Sequence, residues 1–167
     1  MTTLADRKSR TYAQSSWLRV LRAYLGVMAV GNLVWEFLQL PFYTIWKTGT
    51  AREQAFAAVH CTLGDILIAL STLTIALIAV GESSWPERRF WAVVAIATAC
   101  GLAYAIFSEW LNVVVRGTWA YSDLMPVIPL VGFNVGLSPV LQWLVLPAVA
   151  FTFARRMIAG SINGGSP

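Results

Sequence analysis

Four ionisable side chains sit inside otherwise apolar stretches of this chain: Glu36, His60, Asp65 and Glu109. A carboxyl group taken out of water keeps its proton to higher pH, so it can act as a general acid near neutrality. A second carboxyl in different surroundings can then act as the base. Polar groups are costly at membrane depth, and a chain that keeps them there has a use for them. These four residues are the candidate catalytic groups. Asn32, Asn112, Arg116, Trp119, Tyr121 and Gln142 are the candidate substrate-binding groups around them. Each has a structural alternative. The acids could tie helices together through Asn112, Gln39 or an indole N–H. A lone histidine could be a satisfied hydrogen-bonding residue, Arg116 could snorkel to the surface, and the aromatics could form an interfacial belt.

The elements that must carry these residues follow from composition. Of the 167 residues, 57% are hydrophobic and 12% are charged, about half the charged fraction of a soluble domain. With long uncharged runs, this composition predicts an all-α integral membrane protein, a four-helix transmembrane bundle with spans at about 18–40, 55–80, 90–115 and 139–153. Residues 1–17 are expected as a cytoplasmic N-terminal tail, 18–156 as one transmembrane domain and 157–167 as a flexible cytoplasmic tail. The N-terminal basic lead-in is long and no clear cleavage site follows, so the first span reads as an uncleaved signal anchor. Pro41 either ends that span or kinks it, and Tyr43, Trp46 and Lys47 read as an interface anchor after it. The connection 116–138 is apolar but broken by Pro126, Pro129, Gly132 and Gly136. It reads as a re-entrant or interfacial segment, with a short fifth helix as the alternative.

The basic residues give the orientation. Arg7, Lys8, Arg10, Arg19, Arg22, Arg88, Arg89, Arg155 and Arg156 fall on one side, nine against the three on the other, Lys47, Arg52 and Arg116. Positive residues favour the cytoplasm, so both termini are expected there, in a bacterial cytoplasmic (inner) membrane. The net charge of +4 is accounted for by this topology rather than by nucleic acid.

Depth and face then bring the candidates together. At about 1.5 Å per residue, Glu36 lies roughly 7 Å inside the outer end of its span and Glu109 about 10 Å below Arg116. Asn32, Glu36 and Gln39 line one side of the first span. In the third span Thr98, Gly101, Ala105, Ser108, Glu109, Asn112 and Arg116 form a small and polar seam. His60, Gly64 and Ser71 form one line on the second span, with Cys61, Asp65 and Thr72 beside it. The fourth span is weaker, with Gln142 as its main polar group. A polar pocket in the outer half of the bundle follows.

Several classes are disfavoured. Cys61 and Cys100 lie in hydrophobic runs and read as free thiols. No zinc or redox spacing is present, no metal is assigned, and no Gly-rich phosphate loop occurs. Nothing in the sequence identifies a cofactor. The expected partners are membrane lipid and a hydrophobic small molecule, with a homo-oligomer open.

The runs WEFLQLPFY, HCTLGD, SEWLNVVVRGTWAYS and GLSPVLQWLVLP resemble those of small polytopic bacterial inner-membrane proteins, over most of the chain after Gly31. That likeness brings no activity with it. The architecture is similar to that of the small membrane-embedded terpene and carotenoid cyclases, which use intramembrane acids and aromatics; this likeness transfers no residue. The reading that results is a membrane-embedded enzyme acting on an isoprenoid, quinone or lipid by acid/base chemistry such as protonation-driven cyclisation or isomerisation. A small proton- or cation-coupled transporter and a non-catalytic accessory subunit are the alternatives.

Overall fold

The computed structural model describes residues 4–130 and 132–163. Four long helices dominate it: α1 (Leu4–Gln39), α3 (Ala51–Val80), α4 (Phe90–Glu109) and α5 (Leu137–Asn163). A single short turn of helix, α2 (Ile45–Thr48), links α1 to α3. Segments Trp17–Phe42, Ala51–Val80, Phe90–Val115 and Leu137–Met157 are each long and apolar enough to cross a membrane. Helix reaches back to Leu4 and on to Asn163. Much of both expected tails is therefore helical in continuity with the first and last spans. Residues 1–3 and 164–167 of those tails lie outside the described residues.

Local chemistry sets the helix ends. Pro41 lacks an N–H and cannot continue the ladder, and α1 closes in a 3-10 turn at Leu40–Phe42. Thr50 starts α3 with a reciprocal cap: its hydroxyl accepts from the Glu53 N–H, and its own N–H donates to Glu53 Oε2 at 2.7 Å. The capping box satisfies two donors that the first turn would leave free. Gly81 ends α3 at φ +61, where a side chain would be strained. At its far end α4 loosens into a π-helical turn, Trp110–Val115, closed by the Arg116 N–H to Leu111 O at 2.8 Å.

Each of α1 and α4 packs against both α3 and α5. Two glycines stand at close helix contacts. A Cβ at Gly101 on α4 would overlap the Trp143 ring of α5, and one at Gly31 on α1 would come 2.9 Å from Leu146 Cδ2. The apolar core fills one end of the bundle. Val20, Tyr24, Met28, Leu73, Val93, Ala150 and Phe151 are all essentially inaccessible there. Tyr24 stacks on Phe151 with centroids 4.4 Å apart. Trp85 and Phe90 close that end with rings nearly parallel, and Arg155 sits 5.0 Å over Trp91. Outward faces stay apolar: Phe56 is 69% and Leu67 65% exposed.

At the other end, residues 116–130 and 132–136 hold an extended strap and a hairpin, not the short fifth helix that the sequence left open. Strand β1 (Val127–Leu130) pairs antiparallel with β2 (Phe133–Gly136), from Val127 opposite Gly136 to Leu130 opposite Phe133. Gly132 turns the hairpin at φ +90. Pro129 is tolerated because a two-stranded ribbon consists of edges only. The strap is tied to the end of α1 by backbone: Thr44 N–H donates to Ala120 O and Ser122 N–H to Phe42 O, both at 2.9 Å.

Candidate functional site

The uniform apolar packing stops half-way along the bundle, and a cavity of about 570 Å³ takes its place. Glu36 from α1, Asp65 from α3 and Glu109 from α4 all line it, as do His60, Arg116, Trp119 and Gln142. Glu36 and Glu109 are 8% and 5% exposed, and Gln142 is 2% exposed.

The α1–α5 seam holds the first acid. Gln142 Nε2 donates to Asn32 Oδ1 at 2.8 Å, to Glu36 Oε1 at 3.1 Å and to Asp65 Oδ2 at 3.2 Å. Asn32 is fully buried and gives its own N–H to Met28 O at 2.7 Å. Gln39 donates to Glu36 Oε1 at 2.7 Å and accepts from Ser138, whose hydroxyl also takes the Trp35 indole N–H. Asp65 is in hydrogen-bonding contact with Glu36, and the Trp143 indole reaches it. Two carboxyls in such contact can hold one proton between them.

The second acid is held by phenols. Tyr43 donates to Glu109 Oε1 at 3.3 Å, and Tyr121 donates to Glu109 Oε2. Tyr121 also accepts the Gly136 N–H at 2.9 Å. Burial, and after it the charge of Glu109, pushes the Tyr43 phenol well above its usual value. Burial, followed by the bond to Glu109, raises Tyr121 as well. Both phenols therefore stay protonated as donors across the physiological range.

The remaining predicted residues spread outward from the acids. His60 lines the cavity but turns toward Phe56, on which it stacks with ring centroids 5.6 Å apart. Among the described residues His60 makes no hydrogen bond to Glu36, Asp65 or Glu109; Glu36 and Asp65 are in hydrogen-bonding contact, and Glu109 is held by Tyr43 and Tyr121. Asn112 bonds back to Ser108 O at 2.9 Å and accepts from Thr118 at 3.2 Å, which fixes the turn after the π-helical segment. Arg116 is exposed at the cavity mouth. Trp119 is half-buried, its indole N–H is unpartnered, and its ring packs edge-on against Tyr43 at 6.5 Å.

Sequence reasoning gave Tyr43 a role at the membrane interface together with Trp46 and Lys47. Trp46 and Lys47 are exposed, but the Tyr43 phenol turns inward onto Glu109. The signal available was Pro41: a chain that ends its helix there can fold the next residues back over the bundle. Trp143, which the sequence left as a belt or packing residue with a pocket wall as the alternative, lines the cavity; Tyr104 was missed as a wall, because it lies in a continuous apolar run where the sequence carries no mark of a cavity.

Among the described residues, no group of three or more His, Cys, Asp and Glu is gathered closely enough to hold a metal ion. Cys61, half-buried and free, lines the cavity; Cys100 is free as well. No family model, no curated protein and no solved structure matches the chain.

Proposed function

We propose that this chain is a multi-pass protein of the bacterial cytoplasmic membrane, with both termini in the cytoplasm, and that it is an enzyme embedded in that membrane. It acts on a lipid-soluble substrate, an isoprenoid, quinone or lipid, by acid/base chemistry such as protonation-driven cyclisation or isomerisation. One observation carries this reading: Glu36, Asp65 and Glu109, from three different helices, line one cavity with aromatic and apolar walls. The nine-to-three division of Lys and Arg supports the orientation. It puts the hairpin and the cavity toward the periplasm, with residues 116–136 as an interfacial cover.

The two acid sites differ in a way that suits opposite roles. Glu36 and Asp65 can share a proton and deliver it as the acid. Glu109, with two phenol O–H groups directed at it, is arranged as the acceptor. Asn32 and Gln142 orient the acid pair, and Trp119 and Tyr121 shape the approach. The transport reading is weakened by the other half of the bundle, where, among the described residues, Val20, Met28, Leu73 and Phe151 are packed out of reach of solvent.

The accessory reading has one observation in its favour: the polar side chains of the α1–α5 seam are tied to one another, as interhelical glue would be. Isosteric exchange separates the two. Glu36→Gln and Glu109→Gln, in protein that still inserts and folds, abolish the cellular function if the acids work as acid and base. They leave it intact if the acids only hold helices together. Mass spectrometry of lipid extracted from the purified protein then identifies the substrate class.

A further inference from the structure

The acid–base reading uses the floor of the cavity and leaves one flank unexplained. On α3 that flank is built from small residues, Ala57, Cys61 and Gly64, and a Cβ added at Gly64 would meet nothing within 4 Å. His60 belongs to the inner wall, yet it stacks at 5.6 Å on Phe56, which is 69% exposed on the outer face. Across from it on α4, Tyr104 also lines the cavity, and it packs edge-on at 6.2 Å against Phe107, 49% exposed. A side chain that shares contacts with both an inner wall and an outer face marks the rim of an opening. His60 stands nine residues into α3, roughly 13 Å from the helix start at 1.5 Å per residue. On the membrane-embedded reading, with the polar residues Arg52, Glu53 and Gln54 at the surface, the rim lies roughly 9 Å further in, among acyl chains.

Charge narrows what could enter. Glu36, Asp65 and Glu109 sit on the inner surface, while the one arginine on the lining, Arg116, is exposed at the mouth. An anionic headgroup brought to that surface would meet the one negative charge left on a proton-sharing Glu36–Asp65 pair and that of Glu109 in its role as acceptor; a hydroxyl or ammonium would find acceptors. The volume, about 570 Å³, lies within the range of small-molecule sites, roughly 300–1,000 Å³.

We propose that the cavity opens sideways between α3 and α4 into the bilayer and admits an amphiphile with an apolar chain and a hydrogen-bond-donating polar end, an alcohol or a protonated amine. The inference rests on the membrane-embedded reading above but not on any particular reaction. The aromatic rim of His60 and Tyr104 bounds the chain, and the polar end reaches the carboxyls.

The test uses the full chain reconstituted in lipid nanodiscs. Hexadecanol, hexadecylamine and hexadecanoic acid, each carrying the same photoreactive diazirine, are cross-linked and the labelled peptides mapped. The alcohol and the amine label the peptides around Ala57–Gly64 and Tyr104–Asn112 several-fold more than the acid does. Gly64→Trp, which fills the gap, removes that labelling and leaves labelling of the outer face at Leu63 and Leu67 unchanged. Ala57→Leu serves as a second plug if the tryptophan prevents folding. Equal labelling by the acid, or labelling that neither plug reduces, overturns the proposal. Loss of cellular function in Glu109→Gln without any cavity labelling in the parent refutes the side entry alone. Plug-sensitive labelling in a protein whose function ignores Glu109→Gln upholds the entry and refutes the reaction alone.

Discussion

The Tyr121 phenol stands between an acid and a strand: it donates to Glu109 on α4 and accepts the N–H of Gly136 at the end of β2. One hydroxyl thus couples the hairpin to the cavity floor. Tyr121→Phe removes both bonds and leaves the Gly136 N–H without its partner, at a cost of roughly 1–3 kcal/mol. Amide exchange at Gly136 should rise by one to two orders of magnitude, and the helices should keep their protection. Unchanged exchange at Gly136 refutes the coupling.

Gln142 bridges three acceptors, Asn32, Glu36 and Asp65, from two other helices. Gln142→Leu strips all three at once, whereas Glu36→Gln keeps an amide in place and can still bond. The expected losses in stability are about 2–4 kcal/mol for the first and under about 1 kcal/mol for the second. Denaturant titration in detergent micelles checks the order; equal losses contradict the bridge.

Glycines at the two helix crossings should respond unequally. Gly101→Ala forces a methyl into the buried Trp143 ring, and overpacking of this kind costs about 1–3 kcal/mol. Gly31→Ala meets only the tip of Leu146, which can rotate away, so its cost stays below about 1 kcal/mol. Melting of the two variants, side by side, reads the difference.

Both site phenols carry a pH signature. Burial, with Glu109 beside them, raises the folded-state values of Tyr43 and Tyr121 above the ordinary phenol range. The unfolded phenols ionise near about pH 10. The stabilising contribution of the two is therefore full below that pH and is lost as pH rises through the raised folded-state values. In alkaline titration the folded protein should give the same phenolate absorbance near pH 10 with and without a Tyr43→Phe, Tyr121→Phe exchange. A drop equivalent to two tyrosines contradicts the burial-driven shift.

The four long helices were readable because a run of some twenty apolar residues has few other uses, and Arg88, Arg89, Arg155 and Arg156 punctuate the runs. The polar seam of Asn32, Glu36 and Gln39 was readable from helical period. The hairpin was not. Val127–Leu130 contains a proline, and its partner contains Asn134 and Gly136, so neither strand alternates clearly. Its pairing depends on the strap, which is itself positioned by backbone bonds to Phe42 and Thr44 that leave no side-chain signal. His60 shows the limit of depth arguments: height along α3 fixed its level, but its contact with Phe56 decided which way it faced.

The packing of Val20, Tyr24, Met28 and Phe151 has one further consequence. On the proposed membrane-embedded reading, a chamber closed at that end by these residues would exchange hydrogen ions with the compartment on the hairpin side. Catalysis there would follow the acidity of that compartment and ignore the other, and the protein could do proton chemistry inside an energised bilayer without leaking current across it.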